Sequence, residues 1–526
     1  MLNSLLLAGF LLLNLSFLFR SGGFFHGGGV HIIRQIMEAA IRPTLDQETL
    51  LRALKACLQT LTYALASIGI SFVLAFFISV FASGAIRIPK FLRAAIKLLM
   101  SFIRSIHELV WAWFFVVAIG LNPVGAILAI SIPYTGALAK VFTELLENRI
   151  ATQRASLRVF GASSVQCLAY DYLPSVFRDM MSYALYRLEC AVRSTASLSF
   201  VGLGGIGFLI QLSLQDLNFK SMWTYLYCLV LLVIFVDLLS TRLLSASGKK
   251  RRIGLLALAI ATVSTWVFLF EKESLLTIFN ERNYRYIRDF SANIFDVKGW
   301  LALLSDPAFF DALLKLCKET LMMSLYAIAL ASLLLIPFVL FGSGFFSELA
   351  VSRPQRAIAR LLRGFANLCF VVSRSVPELL WGMIFVFLFK PGWFPGVLAL
   401  AIHNFGILGR LSNDAMNSMD KRPIRALQSS GASKVQLILY GVLPMIRNHL
   451  ILYIFYRWEV IIRTTIVVGF IGAGGLGQAL RLAISFFRYQ EIGLYIMAYM
   501  LMVVLTEWIS SKIKRSYAIR SSLQVD

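Results

Sequence analysis

Charged residues are scarce in this sequence. Only 15% of its 526 residues are charged, 59% are hydrophobic, and the mean hydropathy is +0.77. A soluble globular chain is about one quarter charged, so this composition excludes an ordinary soluble domain. The apolar residues stand in blocks of roughly 20, the length that crosses the hydrocarbon core of a bilayer as a helix. The sequence therefore predicts an all-α polytopic membrane protein.

Residues that build metal, redox or nucleotide sites are also few. The six cysteines form no CxxC pair and lie in apolar stretches, and the five histidines do not cluster. This pattern argues against a disulfide framework or a metal site, and the cysteines are interpreted as small core residues. The sequence contains no GxxxxGK[ST] motif, so the chain carries no P-loop and is not expected to be an enzyme.

Acidic residues are outnumbered, since 27 Asp and Glu face 50 Lys and Arg, for a net charge of +23. In a soluble chain this excess would suggest nucleic acid. Here the basic residues cluster in short loops between apolar blocks, as in the run GKKRR at 248–252. Such clusters are typical of the cytosolic side of membrane proteins. We therefore expect a lipid bilayer and no nucleic acid as partner, with both termini in the cytosol.

A stretch of 47 residues occurs in two similar copies, at 161–207 and at 431–477. The offset is constant, since 431−161 and 477−207 both equal 270. Each copy holds a Gly-Ala-Ser turn, a Leu-Pro pair, an apolar run with Tyr, Arg, Glu and Arg, and a glycine cluster. So many special residues do not align without a gap by chance, so the chain contains an internal repeat.

About six transmembrane spans are expected in each half. Those of the first half are 2–19, 57–81, 98–119, 124–145, 177–200 and 223–240. Those of the second half are near 254–270, 316–341, 367–389, 396–415, 447–470 and 491–511. Because each half has an even number of spans, the halves share one orientation and are parallel repeats.

A polar connection precedes the fifth span of each half. Glycine permits a tight turn between two helices there, and proline is expected to end the second helix before the next span. An ordinary interhelical loop and a helix-turn-helix that docks on a soluble partner both fit this pattern. The residues concerned are Gly161, Ala162, Ser163, Leu173 and Pro174, with Gly431, Ala432, Ser433, Leu443 and Pro444 in the second copy.

Each half carries five charged residues within its third and fifth predicted spans, where a charge at mid-bilayer costs about 2.5–3.5 kcal/mol. Arg104 with Glu108, and Glu189 with Arg193, are four residues apart and are expected to pair on one helical face. Arg187 has no carboxylate at that spacing. The charges are either ion pairs that hold helices together or a mildly cationic lining for an anion path. With the flanking tyrosines the set is Arg104, Glu108, Tyr186, Arg187, Glu189 and Arg193, with Arg374, Glu378, Tyr456, Arg457, Glu459 and Arg463.

A glycine cluster follows the fifth span of each half. Glycines do not easily continue a helix, and irregular backbone at membrane depth survives only where it is buried in protein or lines a water-filled cavity. Loops at the extracytoplasmic mouth and simple helix-capping turns both remain open as interpretations. The glycines are Gly202, Gly204, Gly205 and Gly207, with Gly472, Gly474, Gly475 and Gly477.

The spacing of glycine and Leu-Pro between two spans resembles the EAA coupling loop of ABC importer permeases. A more specific resemblance, to the phosphonate and phosphite permease family, rests on the glycine clusters and on the strings RSIHELVWAWFF (104–115), RSVPELLWGMIF (374–385), YRLECAVRS (186–194) and YRWEVIIRT (456–464). The resemblance covers about 54–242 and 314–512. It implies the type I ABC importer permease fold and two fused permease units, 1–247 and 248–526.

The resemblance also implies a function. The chain would be the permease subunit of an ATP-driven importer for a phosphorus oxyanion such as a phosphonate, phosphite or hypophosphite, with both pore halves in one chain. A dimer of a separate cytosolic ATPase, which carries the ATP and Mg²⁺, would dock on the two coupling loops. An extracytoplasmic binding protein would deliver the anion. The chain itself would hold no cofactor, and it would lie in a bacterial inner membrane.

Three positions depart from the family pattern in ways that differ between the halves, and one of them is the acid near the end of the last span, Asp237 in the first half and Glu507 in the second. The family's glutamate six residues before the coupling-loop glycine is Ala155 in one half and Arg425 in the other. The family's proline is kept as Pro377, whereas His107 takes the equivalent place. We therefore expect the two coupling loops to bind their ATPase partners unequally.

Two other functions agree with part of this residue pattern. An ion-coupled secondary transporter with parallel repeats could use Glu189 and Glu459 as proton carriers. It explains the buried charges but not the paired cytosolic loops. A membrane scaffold that transports nothing would have no need for buried charges at equivalent places in both halves.

Overall fold

The computed structural model describes residues 29–152, 157, 160–199, 202, 204–245, 258–266, 281–294, 296–343, 352–390 and 392–522. The first predicted span, Ala155, and residues 254–257 and 267–270 of the predicted span near 254–270 lie outside these residues. The described residues form helices and turns, without a strand.

In the first half a short helix precedes the first long helix. The helices of this half are α1 (Gly29–Ile41), α2 (Gln47–Ser83), α3 (Lys90–Ser105), α4 (Glu108–Ile119), α5 (Pro123–Thr152), α6 (Ser164–Cys167), α7 (Leu173–Leu198), α8 (Ile206–Gln215) and α9 (Phe219–Ser245). A single π-helical turn, Leu168–Tyr172, joins α6 to α7.

The second half repeats this order after two additional short helices. They are α10 (Glu281–Ile294), α11 (Val297–Ser305), α12 (Pro307–Gly342), α13 (Arg353–Ser375), α14 (Glu378–Leu388), α15 (Trp393–Ser418), α16 (Arg422–Ser429), α17 (Lys434–Gln436), α18 (Leu443–Gly469), α19 (Gly475–Ser485) and α20 (Tyr489–Ser522). The π-helical turn Leu437–Val442 precedes α18.

Two compact units contain these helices: one is Gln35–Ala292, and the other combines Met1–Arg34 with Asn293–Asp526. The helical residues 258–266, which the sequence assigned to the second unit, pack within the first. There the Trp266 Nε1 donates a hydrogen bond of 3.2 Å to the carbonyl of Ala66. The compact unit that contains the first half therefore extends beyond the basic run at 248–252, and the division into permease units 1–247 and 248–526 stays a prediction.

Seven helices are long and apolar enough to cross a membrane, and two bent pairs raise the number to nine within the described residues. The single helices are Gln47–Ser83, Pro123–Ala151, Phe219–Ser245, Pro307–Gly342, Trp393–Ser418, Leu437–Gly469 and Tyr489–Lys514. The expected fifth span of the first half is present as α7, which is less apolar along its length than the corresponding helix α18. All-α polytopic architecture in two repeats is confirmed.

The third predicted span of each half, 98–119 and 367–389, is formed by two helices that meet at a sharp bend. The helices α3 and α4 meet at 83°, and α13 and α14 meet at 96°. Ile106 and Val376 take extended backbone angles at the two bends. Pro377 explains the second bend, because proline disfavours a helical conformation in the residue before it. In the first bend His107 acts as the N-cap, since its Nδ1 accepts the Leu109 N–H at 3.2 Å.

Glycines bring each bend close to a straight helix. A methyl group on Gly136 of α5 would lie 2.9 Å from the carbonyl oxygen of Met100, and one on Gly406 of α15 would lie 2.7 Å from that of Phe370. Helices in a membrane associate through such close packing, because lipid offers them no hydrophobic driving force. The two crossings hold the bends against α5 and α15. The charged residues Arg104, Glu108, Arg374 and Glu378 lie at these bends.

Candidate functional site

Two of the charged residues of the first half, Glu108 and Arg187, lie in one cluster at the bend between α3 and α4. Glu108 opens α4, and its Oε1 accepts a hydrogen bond of 2.5 Å from the Ser194 hydroxyl of α7. The Ser194 hydroxyl lies 2.9 Å from the Tyr134 hydroxyl of α5. The guanidinium of Arg187 stands 4.2 Å above the Tyr134 ring. Three helices therefore bring a carboxylate, two hydroxyls and a cation into one cluster.

Arg187 makes a cation–π contact with the face of the Tyr134 ring. A guanidinium over such a ring gains about 0.5–2 kcal/mol from the ring quadrupole. Its Nε is buried and has no hydrogen-bond partner among the described residues. Leaving a buried donor unpaired costs about 1–3 kcal/mol. A water molecule or an anion that reached this buried donor could satisfy it, and the predicted role of Arg187 in an anion path stays a prediction.

The equivalent arginine of the second half is held differently. Asn404 occupies the place of Tyr134, since 404−134 equals 270. The Arg457 Nε donates to the Asn404 Oδ1 at 2.9 Å, and its Nη2 donates to the same oxygen. The Asn404 amide in turn donates to the Leu400 carbonyl at 2.7 Å. Arg457 is 7% exposed, so its guanidinium is buried against an amide rather than a ring.

The expectation that Arg104 and Glu108 share a helical face is wrong, because the 83° bend lies between them. The same holds for Arg374 and Glu378, which the 96° bend separates. Each arginine ends one helix and each glutamate begins the next. A carboxylate in the first turn of a helix is stabilised by the positive end of the helix dipole.

The second expected pair behaves differently in the two halves. In α7 the Arg193 Nη2 lies 3.5 Å from the Glu189 Oε1, as the four-residue spacing predicts. In α18 the Arg463 Nε donates to the carbonyl of Glu459 at 3.0 Å. The Glu459 carboxylate instead contacts the Lys514 Nζ of α20 at 2.6 Å. The tyrosines that begin these strings, Tyr186 and Tyr456, are each 45% exposed.

A histidine faces the glutamate at each bend. The His107 Nε2 lies 3.6 Å from the Glu108 Oε2. The His403 Nε2 lies 3.4 Å from the Glu378 Oε2. His107 belongs to the bend, whereas His403 belongs to the straight helix α15. Sequence reasoning missed His403, Tyr134 and Asn404, although aligning SIPYTG (131–136) with AIHNFG (401–406) at the offset of 270 brings these positions together.

The coupling-loop residues form the same turn twice. Gly161 has a φ of +83° and Gly431 a φ of +82°, values that favour glycine over other residues. The next two residues, Ala162 and Ser163 or Ala432 and Ser433, lead into α6 or α17. The Ser163 hydroxyl accepts the Gln166 N–H while the Gln166 side chain accepts the Ser163 N–H, which is a capping box. Ser433 and Gln436 make the same two bonds at 3.4 and 2.8 Å.

Leu-Pro does not end the second helix, so that prediction is wrong. The π-helical turn before Leu173 passes into α7 without a bend, and the corresponding turn before Leu443 passes into α18. Pro174 and Pro444 lack a backbone N–H, and their rings clash with the carbonyl of a regular α-turn. The wider π-turn accommodates each proline, so the loop and the following span form one continuous helix.

Exposed apolar side chains surround these turns at equivalent places. Val165 and Val435 are 61% and 64% exposed, and Tyr170 and Tyr440 are 78% and 72% exposed. A cavity of about 410 Å³ opens beside Gly431 and Tyr440. Arg425 is exposed on α16, and Ala155 lies outside the described residues. Exposed apolar side chains within a polar connection are typical of a protein-binding surface.

The glycine clusters form turns that start the next helix, as the helix-capping interpretation expects, while their place at the extracytoplasmic mouth stays a prediction. Gly202, Gly204 and Gly205 have positive φ, as do Gly472, Gly474 and Gly475. In the first half the Gln59 Oε1 accepts the Gly205 N–H at 3.2 Å, and in the second the Glu319 Oε2 accepts the Gly475 N–H at 3.3 Å. Gly207 and Gly477 follow inside α8 and α19.

Comparison with known proteins assigns both repeats to one family. Residues 75–253 and 344–515 match the family described as "Binding-protein-dependent transport system inner membrane component". The phosphate-import permease protein PhnE of Mycolicibacterium smegmatis is 27% identical over 438 residues, which cover 80% of this chain and 78% of that protein. The phosphite transport system permease protein PtxC of Stutzerimonas stutzeri is 34% identical over 157 residues, which cover 30% of this chain and 57% of that protein. A solved structure of the MetNI methionine ABC transporter, inward facing, covers 40% of this chain and 99% of its own, with a TM-score of 0.34 and 18% identity.

Proposed function

Because the chain belongs to the family of binding-protein-dependent transport system inner membrane components, we propose that it is the permease subunit of an ATP-driven importer for a phosphorus oxyanion. Phosphonate, phosphite and hypophosphite are the candidate anions. Two relatives are named as permeases for phosphate import and for phosphite transport. The chain supplies both halves of the permease, and it lies in a bacterial inner membrane with both termini in the cytosol.

The duplicated cytosolic turn carries this proposal. Two turns of the same backbone geometry, each beside an exposed valine and tyrosine, suit the two equal surfaces of an ATPase dimer. ATP and Mg²⁺ belong to that partner. A binding protein delivers the anion on the opposite face of the membrane. ATP binding then shifts an inward–outward equilibrium through different contacts with the two turns.

Replacing one turn glycine tests the docking assignment. Gly431→Leu forces a side chain into the left-handed region, at a cost of about 1–2 kcal/mol, although nothing lies within 4 Å of the added carbon. The turn should open and uptake should be lost while the protein stays in the membrane. Gly364→Leu is the matched control, because it also points into open space but lies in a helix. Normal uptake in both Gly161→Leu and Gly431→Leu would contradict the assignment.

The anion path is proposed to include Arg187 and Arg457. A guanidinium can donate two hydrogen bonds at once to an oxyanion, and Arg187 has a buried Nε without a protein partner among the described residues. The double variant Arg187→Gln with Arg457→Gln should reduce uptake strongly at near-normal protein level. Loss of the protein from the membrane, with normal uptake per molecule that remains, would show that both arginines only support the fold.

The ion-coupled transporter is not favoured. Its two proposed proton carriers, Glu189 and Glu459, each face a cation, Arg193 at 3.5 Å and Lys514 at 2.6 Å. Each carboxylate is thus engaged in an ion pair within the fold. The paired cytosolic turns also have no role in that mechanism.

A further inference from the structure

A cavity of about 260 Å³ lies in the second half, between α12 and the start of α15. The α12 residues that line it recur every three or four positions, so one face of that helix forms most of the lining. They are Lys315, Lys318, Glu319, Met322, Met323 and Tyr326, and Trp393 of α15 completes the lining. Small-molecule sites have volumes of about 300–1,000 Å³, so this cavity suits a small ligand.

Two lysines on one face of α12 make the cavity cationic. Lys315 and Lys318 are three residues apart, a spacing that places Cβ atoms about 5–6 Å from each other. A single oxyanion can therefore reach both ammonium groups. Both side chains are exposed, and neither lysine forms an ion pair within the part of the chain that the structure describes. Their charges are thus available to a ligand.

The acidic residue of the lining, Glu319, is engaged by the glycine turn. Its Oε2 accepts the Gly475 N–H at 3.3 Å, and the hydroxyl of the next residue, Thr320, accepts the Leu476 N–H at 2.9 Å. These two bonds hold the start of α19 against α12. With two ammonium groups and one carboxylate, the lining keeps a net charge of +1.

The buried part of the lining is apolar and aromatic. Met323 and Tyr326 are 2% and 6% exposed, and the ring centroids of Tyr326 and Trp393 lie 5.8 Å apart. The helix α15 begins at Trp393, and no described side chain caps its first N–H groups. Because the N-terminus of a helix carries a partial positive charge, this end of α15 adds to the attraction for an anion. The cavity therefore offers charge for an anionic head and a ring for an organic group.

The first half lacks this combination of residues. Its helix α2 aligns with α12 at an offset of 260, which brings CLQT onto CKET, so Leu58 stands where the second half has Lys318. At the offset of 270 that applies to the following helices, Pro123 stands where the second half has Trp393. Lys55, the equivalent of Lys315, is kept. One lysine and the tryptophan therefore distinguish the cavity of the second half.

We infer that this cavity binds an oxyanion that carries an organic group, with the oxyanion between Lys315 and Lys318 and the organic group against Trp393. A free organic phosphonate and the headgroup of an anionic phospholipid share this chemistry, and lysine with tryptophan is also typical of the membrane interface. For a free phosphonate the inference rests on the proposed function. The second half then selects organic phosphonates over phosphite.

Isothermal titration calorimetry of the full chain in phosphatidylcholine nanodiscs tests the free ligand without the ATPase. Phenylphosphonate should bind about tenfold more tightly than phosphite, because only phenylphosphonate places a ring against Trp393. Trp393→Ala should remove this advantage. Lys318→Leu copies the first-half residue and should weaken phenylphosphonate binding by roughly tenfold to a hundredfold. Lys55→Leu is the matched control in the first half and should leave binding unchanged.

Native mass spectrometry of the chain purified from membranes that contain phosphatidylglycerol tests the lipid source. If the headgroup occupies the cavity, the wild type and Lys55→Leu should retain phosphatidylglycerol that Lys318→Leu loses. Failure of the wild type to bind either ligand would overturn the inference. Equal losses in Lys318→Leu and Lys55→Leu would overturn it as well, because they would show attraction to the overall positive charge instead of a site.

Uptake by the complete importer separates this inference from the proposed function. Binding of phenylphosphonate to the isolated chain requires neither the ATPase nor the binding protein. Binding at the cavity without ATP-driven uptake of any phosphorus oxyanion would contradict the proposed function alone. Uptake of phenylphosphonate that Lys318→Leu leaves at the level of Lys55→Leu would contradict a role of the cavity in selecting the transported anion.

Discussion

The two halves of this chain agree in their backbone and differ in their side-chain networks. The turn glycines have φ values of +83° and +82°, and both turns are closed by a serine capping box. The arginine next to the bend, in contrast, lies on the Tyr134 ring in one half and is bonded to Asn404 in the other. Features that set the path of the chain have been kept, whereas polar partners have diverged. Two copies joined in one chain can change independently, which two copies of a single gene product cannot.

The same contrast extends to the helices beside the coupling turns. In the first half Lys97 contacts Glu147 at 2.6 Å, and Arg149 contacts Asp171 at 3.2 Å. In the second half the place of Lys97 is taken by Asn367, which accepts a hydrogen bond of 2.9 Å from Asn413. An ion pair near the surface weakens when salt screens its charges, whereas a hydrogen bond between two amide side chains does not. The stability of the helices beside the coupling turns should therefore respond to salt differently in the two halves.

Adding a methyl group at the helix crossing after each glycine turn should have the largest effect. A Cβ on Gly207 would collide with the carbonyl of Ala196, and one on Gly477 with that of Ile466. Both carbonyls are backbone atoms that side-chain motion cannot move aside, so Gly207→Ala and Gly477→Ala should each cost on the order of 3 kcal/mol. Thermal unfolding in detergent should show equal losses, with Gly364→Ala near wild type. A loss confined to one half would break the backbone equivalence.

Lysine in place of each buried arginine should give unequal intermediate effects. Arg457→Lys loses the two-pronged contact with the Asn404 oxygen, whereas Arg187→Lys can keep a cation above the Tyr134 ring. We expect Arg457→Lys to cost about 1.5–3 kcal/mol, the range for hydrogen bonds to charged groups, and Arg187→Lys about 1 kcal/mol or less. The same unfolding assay measures both, and a larger loss for Arg187→Lys would reverse the comparison.

The smallest effects concern the glutamates of α7 and α18. Glu189→Gln removes the ion-pair partner of Arg193 on the same helix, and Glu459→Gln removes the ion-pair partner of Lys514 of α20. Lysine has a long flexible stem and its side chain is 29% exposed, whereas that of Arg193 is 11% exposed. The abundance of protein in the membrane should therefore fall more for Glu189→Gln. Equal abundance of the two variants would show that burial of the cation does not decide the cost.

The sequence alone predicts the features that one strong local signal controls. The constant offset of 270 identifies both turns and the ten charged residues of the third and fifth predicted spans, and the four-residue spacing identifies the Glu189–Arg193 pair. It did not predict the bends, because an apolar run reads as one straight span unless the extended residue before Pro377 is recognised. His403 was missed as well, since its contact with Glu378 joins residues on two different helices. Such contacts depend on tertiary packing that a single sequence does not encode locally.

The measurement that tests the central claim most directly is uptake by proteoliposomes that contain this chain, its ATPase and its binding protein. Labelled phosphite or phosphonate is supplied outside, and ATP is supplied on the ATPase side without any ion gradient. The account predicts accumulation that requires ATP hydrolysis and the binding protein, and that Gly431→Leu abolishes. Accumulation driven by a proton or sodium gradient without ATP, and unaffected by Gly431→Leu, would contradict it.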